Sequence, residues 1–194
     1  MKNKLILTSY GLTTKVGRRL IGKALAEYDL SDKKIFLFHE PHYSIEPMLV
    51  NACLALGFRK ENIILSGQQK NNEEIRNSDI YYITEGNVFE VMSLLRERGL
   101  DVVFQKAFEE GSKIYLGASA GAMIAGTSIE EGESFDRNFL RMRDYEGLGL
   151  FDGIIIPHYT KAELKKYINS SPEIVNKYTH VLSVANTKSL IMEV

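Results

Sequence analysis

The sequence is poor in several things that whole classes of protein require. It holds one cysteine, Cys53, no tryptophan and four prolines in 194 residues. A lone cysteine can close no internal disulfide and supplies no zinc-ligand cluster, so a reducing compartment is expected. Neither sign of charge is in surplus, with 24 Lys+Arg against 25 Asp+Glu and a formal net charge of −1. A nucleic-acid binder carries a basic excess, so no nucleic-acid partner is expected. No stretch approaches the roughly 18 apolar residues of a membrane span. The basic start, Met1-Lys2-Asn3-Lys4, precedes an apolar run at 5–7 that is too short for a signal peptide. The expectation is a cytoplasmic protein with no membrane partner. There is also no repeat, linker or low-complexity segment. An apolar share of 44% and a charged share of 25% are ordinary for a globular chain, and 1–194 reads as a single α/β domain with a core of its own.

What is present is a regular alternation. Residues 4–8, 34–38, 62–65, 79–84, 113–117 and 153–157 are short runs of Ile, Leu, Val, Phe and Tyr without polar alternation. That pattern suits parallel strands covered on both faces. Between them, 16–27, 45–56 and 88–98 have helical spacing, the last through Val88, Val91, Met92 and Leu95. Strand–helix alternation predicts βαβ units in a three-layer sandwich with a mostly parallel central sheet. The segment 127–138 is polar and acidic and reads as a long surface loop of the kind that carries function. A helix near 161–169 and strands at 181–184 and 190–194 complete the pattern.

The chemistry concentrates at Gly117-Ala118-Ser119-Ala120-Gly121. A strand runs into this G-x-S-x-G element and a helix starts inside it, the setting of a nucleophile elbow. Such a turn strains the serine backbone and tolerates only small neighbours. It also presents Oγ beside helix N–H groups that favour a developing oxyanion. A serine needs a base, and the chain has four histidines. His158 follows the strand at 153–157, at the sheet edge where ligands bind in open α/β folds. His39 and His42 flank Glu40-Pro41, a weak pattern for a metal, and His180 opens a late strand. A carboxylate should orient the base. Glu130, Glu131, Glu133 and Asp136 all lie between serine and histidine, in the Ser…Asp/Glu…His order of an elbow hydrolase.

These residues resemble a known family. Gly117–Ile124, Asp144–Gly153 and Ile154–Tyr159, together with Gly11-Leu12-Thr13-Thr14 and Tyr81–Phe89, are similar to the dipeptidase E and cyanophycinase family of serine peptidases. The resemblance runs in order along essentially the whole chain. It implies a class I glutamine amidotransferase-like (flavodoxin-like) fold and hydrolysis of small aspartyl peptides, with neither metal nor organic cofactor. It implies Ser119 as nucleophile, His158 as base and Asp136 as the carboxylate, with Glu133 next in line. Gly86 and Ala120 would supply the oxyanion hole. Asn87, Arg137 and Arg141 would contact substrate, with Arg143 a further cation for its carboxylate.

Three positions depart from the family pattern. Glu85 stands where the Gly-Gly-Asn turn has its first glycine, which brings a negative charge toward the oxyanion donors. His39-Glu40-Pro41-His42 replaces a small polar segment. Ala185-Asn186-Thr187-Lys188 lacks an acidic residue often found there, and a final strand or hairpin is expected to be missing beyond it. Two further readings stay open, a catalytically silent ligand-binding member of the fold and an esterase or amidase acting on another acyl substrate.

Overall fold

The computed structural model describes residues 2–40, 45–69 and 71–194, with only the backbone of Val175. Six strands form the main sheet in the order β3-β2-β4-β5-β1-β8. They are β1 (Lys4–Thr8), β2 (Ile35–Phe38), β3 (Ile63–Leu65), β4 (Ile80–Ile83), β5 (Ile114–Ala118) and β8 (Ser189–Glu193). The first five are parallel, and β8 closes one edge antiparallel to β1. The near-continuous apolar runs are explained by burial on both faces, since β2, β4 and β5 bury every residue.

The period of two sorts these side chains between the two cores. Ile6, Leu37, Tyr82 and Leu116 face α1 (Lys15–Leu25) and α2 (Glu46–Leu56). Leu7, Phe38, Tyr81 and Tyr115 face α4 (Val88–Glu97) and α5 (Leu100–Glu109). Short helices α3 (Asn72–Arg76) and α6 (Ala120–Ile124) complete this part. The expected three-layer arrangement with a mostly parallel sheet is therefore the fold. Three helices were not among those expected, the short α3 and α8 (Glu173–Lys177) and the longer α5, although Leu100, Phe104, Ala107 and Phe108 have helical spacing. Gly99, at φ 64°, turns the chain between α4 and α5.

The last strands differ from a single continuous sheet. β6 (Ile154–Pro157) and β7 (Val181–Val184) pair parallel with each other in a separate two-stranded sheet. Ile155 and Val184 join the main core, while Ile154 and Ile156 face outward. There they pack with α7 (Lys161–Ser170) and α8 (Glu173–Lys177), through residues such as Leu164 and Ile174. Within the acidic loop, Glu130–Ser134 winds into a 3-10 turn. No helix among the described residues is long and apolar enough to cross a membrane.

Candidate active site

Ser119 sits between β5 and α6 with φ 50° and ψ −106°, a conformation non-glycine residues rarely adopt. The surroundings hold it there. Its N–H donates to the Thr8 carbonyl at 2.9 Å, and its carbonyl accepts from Ala122 and Met123. The glycines are required by close approach. A Cβ on Gly117 would fall 2.5 Å from the Gly121 carbonyl, and one on Gly121 would fall 2.3 Å from the Ile83 carbonyl. Tyr115 clamps the turn from below by donating to the Gly121 carbonyl at 2.7 Å. Strand, serine and helix thus follow one another in the expected order.

His158, just past β6, places Nε2 3.0 Å from Ser119 Oγ. Its other ring nitrogen, Nδ1, lies 2.8 Å from Asn186 Oδ1. A carbonyl oxygen can only accept, so Nδ1 carries the proton and Nε2 is left as an acceptor for the serine hydroxyl. Tyr10 stands edge-on to the imidazole at 5.4 Å. The β6–β7 register explains the placement. Pro157 is opposite Val184, so the residues that follow each strand emerge side by side. Asn186 was missed at the sequence level as a partner for the histidine, although its position just after a strand parallel to β6 is the signal that could have found it.

Asp136 is therefore not the group on the histidine. Its Oδ2 accepts the Val88 N–H at 2.9 Å, at the start of α4. Partial burial pushes its carboxyl above the ordinary value, against the hydrogen bond from Val88, which pulls the other way. Glu133, the second choice, is exposed and accepts from the Tyr145 hydroxyl at 2.5 Å. Glu130 binds Lys177 and Tyr178, and Glu131 binds Tyr167. The acidic loop thus packs against α7, α8 and the segment before β6.

The β4–α4 turn lies beside the elbow, since β4 is the neighbour of β5 and Ile83 pairs with Gly117. Gly86 has φ 158°, and a Cβ there would meet the Glu40 carboxylate at 2.3 Å. Asn87 caps α4, accepting from Phe89 and Glu90 and donating to the Arg137 carbonyl at 2.9 Å. Its amide is engaged within the protein rather than presented to a ligand. Glu85 turns toward the β1–α1 loop, where it accepts from the Thr13 hydroxyl and lies over Gly11. Arg137, Arg141 and Arg143 are exposed, and Arg137 rests on the Phe139 ring at 5.0 Å.

The remaining candidates have structural surroundings. His39 is buried at the end of β2, with Nδ1 3.0 Å from the Glu40 carbonyl and Nε2 3.3 Å from Glu46. His42 lies outside the described residues. His180 contacts the Asp152 carbonyl and the Phe151 ring. Cys53 is buried in α2, and burial pushes its thiol up to about 12, which leaves no thiolate at neutral pH. A cleft of about 570 Å³ is lined in part by Tyr159, Lys161, Ala185, Thr187 and Lys188, chain neighbours of His158 and Asn186, but not by Ser119, His158 or Asn186.

Comparison with known proteins agrees with this architecture. Residues 48–193 match the sequence model of peptidase family S51. The chain belongs to that family. Among similar proteins, an uncharacterized peptidase of Listeria innocua is 32% identical over 112 residues, 57% of this chain and 52% of that protein. Peptidase E of Shewanella amazonensis is 34% identical over 107 residues, 54% of this chain and 44% of that one. The chain spans about half the length of the first curated relatives it matches. In three dimensions it is similar to a protein of Listeria monocytogenes provisionally assigned as peptidase E. That likeness has a TM-score of 0.71 at 22% identity and covers 100% of this chain and 95% of that one. A peptidase from an acI-B1 Actinobacterium gives 0.62 at 20% identity, covering 99% and 84%.

Proposed function

We propose that this S51 member is a serine peptidase in which Ser119 is the nucleophile, His158 the general base and Asn186 the residue that orients the base. The observation that carries this reading is the 3.0 Å contact between His158 Nε2 and the hydroxyl of a serine held at φ 50°. In the reaction, Nε2 takes the Ser119 proton as Oγ attacks the substrate carbonyl. The tetrahedral oxyanion faces the Ala120 N–H, the first of α6 and without an intrahelical acceptor, together with the Gly86 backbone. The imidazolium returns its proton to the leaving amine, and a water activated by the same nitrogen releases the acyl group.

The substrate class is a small peptide bearing an acidic side chain. Support comes from the family resemblance carried by Gly117–Ile124 and Ile154–Tyr159 and from cations on adjoining segments. Arg137, Arg141 and Arg143 lie on a segment that Asn87 ties to the β4–α4 turn, and Lys161 and Lys188 line a cleft formed by chain neighbours of His158 and Asn186. With Glu85 engaged by Thr13, the charge expected near the oxyanion is turned to another partner.

The test is labelling with a fluorophosphonate, followed by cleavage of aspartyl dipeptides and anilides. Labelling confined to Ser119, absent in Ser119→Ala and in His158→Ala, is the expected result, and an unlabelled wild type overturns the reading. Replacing the substrate-gripping arginine by alanine should lower kcat/KM on aspartyl substrates by about 10- to 100-fold, the worth of a charge-assisted bond. Labelling, which bypasses that pocket, should persist. If all five single cation-to-alanine variants keep full activity on an aspartyl substrate, the acidic class is wrong.

A further inference from the structure

The nucleophile and the base stand on different sheets. Ser119 follows β5 in the six-stranded sheet, whereas His158 and Asn186 follow β6 and β7 in the two-stranded one. Among the described residues, no strand of one sheet pairs with a strand of the other. The 3.0 Å contact between serine and histidine therefore depends on whatever fixes the carboxyl ends of the two sheets relative to each other.

Ile155 and Val184 pack in the main core and Tyr10 stands against the His158 ring, but among the described residues the side chain that hydrogen-bonds both strand ends is Ser9. Ser9, 1% exposed, directly follows β1. Its hydroxyl donates to the Val184 carbonyl at 2.6 Å and accepts the His158 N–H at 2.9 Å. A serine has one hydroxyl proton, so the two bonds run in a fixed direction, out to β7 and in from His158. The opposite end of β6 is tied separately, through Thr127 to the Gly153 carbonyl.

The backbone conformations point to the same joint. Ser119 and His158 are two of four described non-glycine residues with positive φ, at 50° and 66°. Such strain persists only where the surroundings over-determine it. The N–H of Ser119 is held by the Thr8 carbonyl and that of His158 by the Ser9 hydroxyl. Two consecutive residues at the end of β1 thus hold both strained residues.

We infer that Ser9 is a positioning residue that sets the base, and the strand end leading to Asn186, against the nucleophile across the seam between the two sheets. This rests on the proposed roles of Ser119 and His158, and the experiment separates the two. Ring-nitrogen NMR of the full chain should show wild-type His158 as a single tautomer protonated at Nδ1. In Ser9→Ala that signature should become a mixture of tautomers. The rate of fluorophosphonate labelling should fall by about 10- to 100-fold, the effect of a displacement near 1 Å, with KM for a cleaved peptide little changed. Ser9→Thr, which keeps Oγ, should restore both readouts. Ser9→Cys fills the space with a weak hydrogen-bonding group and replaces the alanine variant should that one not fold. A folded variant lacking the hydroxyl but retaining the wild-type ring signature overturns the inference. An unlabelled wild type sinks the peptidase reading instead, and the tautomer comparison still decides the joint.

Discussion

The partner of His158 is an amide, and an amide orients without lending charge. Asn186 Oδ1 selects the tautomer that leaves Nε2 as an acceptor, and among the described residues no carboxylate is hydrogen-bonded to the ring. Asn186→Ala should lower the labelling rate by roughly 10- to 100-fold through lost orientation. Asn186→Asp should stabilise the protonated ring and move the acid limb of kcat/KM to higher pH by about one unit or more; a pH profile measures this, and an unmoved limb disproves the contact. Asp136 should behave differently. Asp136→Asn keeps an acceptor for the Val88 N–H and should cost less than about 10-fold in rate. Its effect on stability has a definite sign. Burial raises the folded-state carboxyl above 3.8, so the folded protein holds that proton more tightly than the unfolded chain. Ionisation therefore costs stability as pH rises through 3.8, and the whole cost is present above the raised folded value. The melting temperature of Asp136→Asn should gain on wild type between pH 4 and pH 7. A gap that narrows with rising pH contradicts the assigned burial effect.

At the scale of elements, α4 links the site to its flanking loop. Its first N–H groups are met by Asn87 and Asp136, and Asn87 also holds the Arg137 carbonyl. Asn87→Ala should cost about 1–2 kcal/mol, the worth of an N-cap. Asn87→Asp should recover most of that while losing the bond to Arg137, and urea unfolding distinguishes the three proteins. Much of this scale was legible in sequence, because buried parallel strands and the small residues around Ser119 leave local patterns. The orienting residue left none. Asn186 is one of three polar residues in a four-residue connection, and its value comes from the register that brings the end of β7 beside the end of β6. Chain order left four carboxylates open and the family resemblance favoured Asp136 for the same part, but its carboxylate accepts from the first N–H of α4. Asn87 shows the same limit, since its motif marks a turn without saying whether the amide faces substrate or backbone.

At the scale of the whole molecule, the two sheets differ in how firmly they are held. In the large sheet, β2, β4 and β5 lie wholly in the core. The small sheet has β6 buried, but only Val184 of β7 is fully buried, and α7, which covers it, has no buried residue. The outer cluster behind it contains three buried hydrophobic residues, Ile154, Ile156 and Ile174. Local opening follows sparse burial, so β6, β7 and α7 should form the first unit to loosen. Because His158 and Asn186 ride on that unit while Ser119 stays with the large sheet, activity should fail before the fold does. In a urea series, labelling of Ser119 should be lost at lower concentration than the far-ultraviolet circular dichroism of the large sheet and its helices. Backbone amides of β7 should exchange with deuterium faster than those of β1, β4 and β5 under native conditions. Coincident loss of labelling and secondary structure, with uniform exchange across both sheets, would show that the molecule opens as one unit and that the seam carries no weak point.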